Sequence, residues 1–201
     1  MRIPTGQEIL ELHRRHAPTA AALDLVYTHC QIVAAVAGQL LTASGFAADA
    51  ALVEAGCLVH DVGVYPLYDE AGRLDHADYI RHGVLGYRLL RAEGLPEAIC
   101  RFASHHTGVG LTRDDVVRQE LPVPLADYLA DSAEETVVMY ADKFHTKSTP
   151  PAFLTADAYA ASVARYGPDK AAAFAAMRAA LGEPDLAPLA AAYRQRVIGM
   201  S

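Results

Sequence analysis

The sequence predicts an all-α fold with no sheet of consequence. Three observations carry this. Alanine is abundant and strand-type alternation of β-branched residues is nearly absent. Capping patterns precede stretches whose apolar residues recur at helical spacing. Gly and Pro fall between those stretches, where helices must stop. Thr5 with Glu8 has capping-box spacing and opens a first helix through His13, which Pro18 ends. Residues 20–41 form a long apolar-periodic helix with Leu25, His29, Ile32, Val33 and Val36 on one face. Asp49 caps a third helix that runs to Val62, with Gly63 just past its end. Residues 64–75 read as a loop. A fourth helix covers residues 77–93 and stops at Gly94-Leu95-Pro96, and a fifth covers 96–106. Residues 107–124 are mostly loop, with Thr112 and Asp115 able to start a turn or short helix. Ser132 and Glu135 have the spacing of a second capping box, opening a helix through His145. Thr149-Pro150-Pro151 is the one convincing linker, and beyond it lie Ala-rich helices at 155–166, 168–181 and 185–197. The expected organisation is one domain over residues 1–148 and a helical C-terminal extension, 149–201, packed on it.

Composition bounds the function. The 201 residues are 52% hydrophobic and 20% charged, enough for a sizeable core. Lys plus Arg number 17 against 24 Asp plus Glu, a net charge of −7. That disfavours a broad nucleic-acid-binding face, which needs clustered basic charge. A small anionic substrate stays open, because a bound metal sets the local field whatever the net charge. Cys30, Cys57 and Cys100 are scattered, which argues for a reducing compartment and against a disulfide scaffold. No uninterrupted apolar run approaches the roughly 18 residues of a membrane span, and residues 1–17 lack the apolar core of a signal peptide. The expected location is the cytoplasm. Homo-oligomerisation is compatible with the sequence.

Placement distinguishes the nine histidines. His29 lies mid-helix on an apolar face. His60 and Asp61 are adjacent near a helix end, His82 lies in the fourth helix, and His105 and His106 close the fifth. Asp142 sits in the apolar run Val137-Val-Met-Tyr-Ala-Asp142. A lone histidine on an apolar face is more often a hydrogen-bonded core residue than a ligand. A buried carboxylate without a cation, however, is costly, and several apolar helices each presenting a His or Asp would need as many separate polar solutions. One metal centre satisfies all of them. His29, His60, Asp61 and Asp142 suit a divalent first-row metal with room for water, and His82 with His105 or His106 could hold a second ion bridged by Asp61. His13 and His16 flank two arginines in what reads as a solvated stretch, and His145 reads as a surface histidine.

The series His29, His60-Asp61, His82, His105-His106, Asp142 resembles the HD superfamily of metal-dependent phosphohydrolases, with His60-Asp61-Val62-Gly63 similar to the H-D-I-G form of its signature. The resemblance covers residues 25–147. His106-Thr-Gly, Leu121-Pro, Glu134-Glu135 and Tyr140-Ala-Asp142-Lys143 are similar to a subgroup of small H-D-I-G proteins that includes phosphodiesterases of a cyclic pterin phosphate. It implies an HD-domain helical bundle in which His29, His60, Asp61 and Asp142 hold one metal. It further implies that Asp61 bridges to a second metal on His82 and on His106 or His105. The implied cofactor is one or two divalent ions, iron, manganese, cobalt, nickel or zinc, with iron or manganese favoured. The implied activity is hydrolysis of a small nucleotide-like or cyclic phosphate by metal-activated water, with Asp61 and Lys143 as catalytic candidates. Arg73, His76 and Arg101 are the candidate substrate contacts. A mixed-valence di-iron oxygenase or a non-catalytic nucleotide-binding domain would share the ligand set.

Overall fold

The computed structural model describes residues 1–199. It is helical, with one small sheet. Helix α1 (Gly6–His16) starts on the Thr5/Glu8 capping box. Helix α2 (Ala20–Ser44) starts on the Thr19 hydroxyl and ends at Gly45, whose φ of 66° is left-handed. Helix α3 (Ala50–Val59) is capped by Asp49, whose carboxylate accepts from the Ala51 and Leu52 amides. A 3-10 turn, Val62–Leu67, follows and packs on α4 (His82–Ala92), which in turn lies against α5 (Glu97–Ser104). Helix α6 (Arg113–Arg118) has its own capping box of Thr112 and Asp115. Helix α7 (Ala133–Ala141) packs on α2 and α3. By length and composition α2 and the segment Ala50–Leu67 could each cross a membrane. Here their fully buried Val26, Ile32, Val33, Val36, Val59 and Val62 build the core.

The expected helices form, but several stop early, two of them beside the polar residues of the centre. The third, expected to reach Val62, ends at Val59. Gly63 is not its stop: it sits inside the 3-10 turn, where the backbone of α4 approaches so closely that no Cβ fits. The fourth begins properly only at His82, because Asp75 caps the preceding turn through the Ala77 and Asp78 amides. The helix expected through His145 ends at Ala141. A 3-10 turn (Asp142–Phe144) and strand β1 (His145–Thr146) replace its last residues.

Residues 147–151 connect β1 to β2 (Ala152–Leu154), and the two pair antiparallel with His145 opposite Phe153. Helices α8 (Ala156–Val163), α9 (Pro168–Leu181) and α10 (Leu186–Tyr193) follow. The last is shorter than the expected run to residue 197. Arg194 at φ 53° turns the chain back, and β3 (Val197–Ile198) pairs parallel with β2. The extension is joined to the rest at several points. Phe174 packs on Tyr140 and Tyr159. The Tyr140 hydroxyl donates to the Gly182 carbonyl at 2.7 Å. Lys170 pairs with Asp115 across α9 and α6.

His13 is buried, against the expectation of a solvated stretch. Its Nε2–H donates to the Leu58 carbonyl at 2.7 Å and its Nδ1 accepts from the Tyr65 hydroxyl at 2.7 Å. A neutral imidazole satisfies both partners. Burial, opposed by the Leu58 bond, lowers its pKa from 6.5 to about 4. Above the unfolded value this group adds no pH dependence. As pH falls from 6.5 toward 4 the unfolded chain takes the proton and the folded one does not, so stability is lost by up to about 3 kcal/mol. Urea unfolding at about pH 7 and pH 4.5 should show this loss in the wild type and a smaller one in His13→Gln. Equal losses would mean that His13 is not the group responsible.

Candidate metal centre

The early helix ends bring the polar residues together. His29 comes from the middle of α2. His60 and Asp61 come from the residues between α3 and the 3-10 turn, His82 from the first position of α4, His106 from just beyond α5, and Asp142 from the end of α7. Asp61 lies at the centre with its two oxygens divided. Its Oδ2 is 3.2 Å from His29 Nε2 and 3.6 Å from His60 Nε2. Its Oδ1 is 3.6 Å from both His82 Nε2 and His106 Nε2. Asp142 Oδ1 closes the first group, 3.0 Å from His29 Nε2 and 3.4 Å from His60 Nε2, which are themselves 3.2 Å apart. His82 and His106 face each other Nε2 to Nε2 at 3.0 Å.

These residues fit divalent metal. Donor atoms about 2.0–2.2 Å from one ion lie about 2.9–3.6 Å from each other, which is the spacing found in both groups. Among the described residues Asp61 Oδ1 is the one buried side-chain oxygen or nitrogen without a hydrogen bond, since 3.6 Å is too long for one. Leaving a buried carboxylate oxygen unpaired in front of two imidazole nitrogens is costly, and a divalent ion between the three would satisfy them. The tautomers agree. Nδ1–H of His60 donates to the Cys57 carbonyl at 2.7 Å, that of His82 to Tyr79 at 2.7 Å, and that of His106 to Phe102 at 3.0 Å. Each Nε2 is thereby left with its lone pair toward the centre. Burial, then the Lys147 charge, lowers His29 to about 3; burial, then His106, lowers His82 to about 4. Both are held in the neutral form that binds metal. His60 goes the other way: burial opposes its charge, but Asp61 and Cys30 raise it well above the ordinary value. Asp61 resists burial through Lys147 and His60, and its pKa lies well below the carboxylate range.

Of the sequence candidates, the fold gathers His29, His60, Asp61, His82, His106 and Asp142. The ambiguity between neighbouring histidines resolves to His106. His105 takes φ −111° as α5 ends and turns away, with Nδ1 2.6 Å from Ser104 Oγ and its ring near Tyr128. Lys143 is buried, donating to Asp142 Oδ2 at 2.6 Å and to the His106 carbonyl at 2.9 Å. His76 lines the cavity above the centre, which has a volume of about 520 Å3. Arg73 and Arg101 are not in that lining. Arg73 is exposed and spent on Asp69, four residues before it. Arg101 reaches Glu135 with two bonds of 2.6 and 3.0 Å, so its place on the helix face of His105 turns it from the centre with that histidine.

Two contributors are not evident from the sequence. Lys147 is ion-paired with Asp61 Oδ2 and lines the cavity. His145, expected at the surface, is buried with Nδ1 2.8 Å from His29 Nδ1. A helix carried through His145 hides both. Ending that helix at Ala141 exposes the signal, since in extended chain residues 145 and 147 share a face. A second cavity of about 400 Å3 adjoins the first, sharing Ile80, Thr107, Gly108, Tyr159 and Ser162 with it.

A helical bundle with this His/Asp arrangement defines the HD class of domain, and the HD-domain family model matches residues 26–147. The chain belongs to the HD domain family. It is 35% identical over 127 residues to an uncharacterized protein of Methanocaldococcus jannaschii, covering 61% of this chain and 68% of that one. It is also 32% identical over 119 residues to a tRNA (cytidine(56)-2'-O)-methyltransferase of Picrophilus torridus, covering 59% of this chain but only 31% of the enzyme. In solved structures the same fold occurs in the HD domain of L. monocytogenes phosphodiesterase PgpH, with a TM-score of 0.51 at 18% identity over 92% of this chain and 98% of that one. That domain has also been solved in complex with cyclic-di-AMP.

The division of Asp61 between two donor groups gives a direct test of nuclearity. His82→Ala should lower metal content from about two ions per chain toward about one, because the other group keeps its four ligands. Elemental analysis reads this, and a stoichiometry of one in both proteins would show a single-metal centre.

Proposed function

We propose that the protein is a metal-dependent phosphohydrolase acting on a small nucleotide-like or cyclic phosphate. The observation that carries this is Asp61, whose two oxygens face separate groups of candidate metal ligands beside a cavity that Lys143 and Lys147 also line. Divalent metal bound there supplies a water with a pKa near 7, hence hydroxide at neutral pH. The chain supplies the rest. Lys147 lies at the cavity wall, ion-paired with Asp61, and metal held by that carboxylate would leave its ammonium available to a phosphoryl oxygen. Lys143 fixes Asp142 and adds a positive charge where negative charge grows during displacement. The adjoining cavity, lined by Tyr166 and by the shared Tyr159, suits the organic part of the ester. Iron or manganese matches the mixed histidine and carboxylate donors.

The family supports hydrolysis as the class of reaction, and the relative solved with cyclic-di-AMP makes small phosphodiesters the first substrates to try. The test is to purify the protein without chelator, load it with iron or manganese, and assay cyclic dinucleotides, cyclic mononucleotides and phosphomonoesters with and without oxygen. Oxygen-independent release of phosphate or of a ring-opened monoester supports the proposal. Loaded protein that hydrolyses none of these, or turns over only with oxygen, overturns it.

A further inference from the structure

The ligand histidines are oriented in two different ways. His60, His82 and His106 each donate Nδ1–H to a main-chain carbonyl, a partner that no side-chain substitution removes. His29 does not. Its Nε2 faces Asp142, Asp61 and His60, and its Nδ1 lies 2.8 Å from Nδ1 of His145. The outer nitrogen of that ring, His145 Nε2, is 2.7 Å from Gln195 Oε1. Of two facing imidazole nitrogens one must carry the hydrogen. A His29 that gives its Nε2 lone pair to a metal carries its hydrogen on Nδ1 and donates it to His145. His145 must then carry its own hydrogen on Nε2, and that hydrogen needs an acceptor. Gln195 Oε1 is that acceptor.

We propose that His145 and Gln195 are positioning residues for the metal centre, Gln195 setting the tautomer of His145 and His145 that of His29. The chain of bonds is assembled by the small sheet. Pairing of β1 with β2 sets His145 against Phe153, whose ring meets it edge-on at 5.0 Å, and the His29 and His145 rings lie side by side, centroids 5.1 Å apart with 29° between their planes, as an in-plane N–H···N bond needs. Arg194 in its left-handed conformation ends α10, so that Gln195 leads into β3 beside β2. The Ala-rich extension, outside the matched family region, thus reaches a metal ligand through two side chains.

The inference rests on the metal-centre reading, and cobalt(II) serves as the probe for both. It is titrated into wild type, Gln195→Leu and Gln195→Glu, following affinity and the visible absorption of the bound ion. The leucine of the first variant cannot accept a hydrogen bond, whereas the carboxylate of the second can only accept and keeps the required direction. Gln195→Leu should bind cobalt several-fold more weakly, with an altered spectrum, a smaller loss than the roughly 10- to 100-fold seen when a ligand's own orienting partner is removed, because Gln195 acts through His145. Gln195→Glu should bind at least as tightly as wild type. The thermal melts of the three metal-free proteins show whether folding is affected, since Gln195 is only partly buried. Equal affinity and spectra in wild type and Gln195→Leu would overturn the inference. So would equal weakening in both variants, which indicates mere packing. Failure of the wild type itself to bind cobalt would instead remove the metal centre and the proposed function with it.

Discussion

Asp61→Ala should lose bound metal and, on the proposed function, hydrolytic activity together, with activity falling by a factor of about 10^3 or more, because the proposed nucleophile is metal-bound water. Among the described residues Asp61 is the only carboxylate within reach of both donor groups, so its removal leaves each short of a ligand. The same change strips Lys147 of its ion-pair partner. Lys147 is only partly buried and faces the cavity, so an ammonium left there without its counter-charge costs less than the roughly 3–5 kcal/mol of a fully buried one. Loss of metal and loss of fold must therefore be separated. The double variant Asp61→Ala/Lys147→Met removes the orphaned charge along with its partner. It should regain most of the thermal stability and none of the metal. A single variant with full metal content by elemental analysis would disprove the bridging role. A double variant that regained metal would do the same.

Gly63→Ala should have the largest effect on stability. A Cβ at this position would lie 2.0 Å from the His82 carbonyl oxygen and 2.2 Å from the Gly86 amide nitrogen. Both are main-chain atoms in α4 and cannot rotate away, so α4 and the 3-10 turn must separate. The expected cost exceeds about 4 kcal/mol, which for a chain of this size lowers the melting temperature by at least about 8–16 °C or prevents folding. Gly86→Ala should cost less, because its nearest new contact is the Ala103 methyl at 2.9 Å. Circular dichroism melts of both variants check the order, and a Gly63→Ala protein melting like wild type would show that the two backbones are not in contact. The position also bears on the centre. Asp61 lies two residues before Gly63 and the contacted oxygen belongs to His82 itself, so the glycine sets how near Asp61 can come to His82.

Much of this arrangement is legible in the residues. The capping box at Thr5 and the Asp49 and Ser132 caps place helix starts correctly, because an N-cap is a local hydrogen bond between a side chain and amides two or three residues on. Asp142 stands out as a carboxylate in an apolar helix, and the His60-Asp61 pair at a helix end carries the family's signature. Helix ends are harder. The stops at Val59, Ala141 and Tyr193 carry no glycine. In each the chain leaves the helix to meet distant partners, and no local pattern records such partners.

The sequence by itself determined the helical class, the family and the residue types of the candidate metal centre, since periodicity, caps and the order of motifs along the chain are readable without knowing how segments pack. Tertiary structure decided which members of that set meet. His106 faces the centre and His105 does not, because the helix ends between them and turns the two rings apart. Arg101 is taken by Glu135 from α7, and Lys147 reaches Asp61 from 86 positions away. Gln195 meets His145 only because an arginine in a left-handed turn sends the last strand back along the sheet. These are contacts between segments far apart in the chain, fixed by how the helices pack, and packing depends on the shape of the whole core.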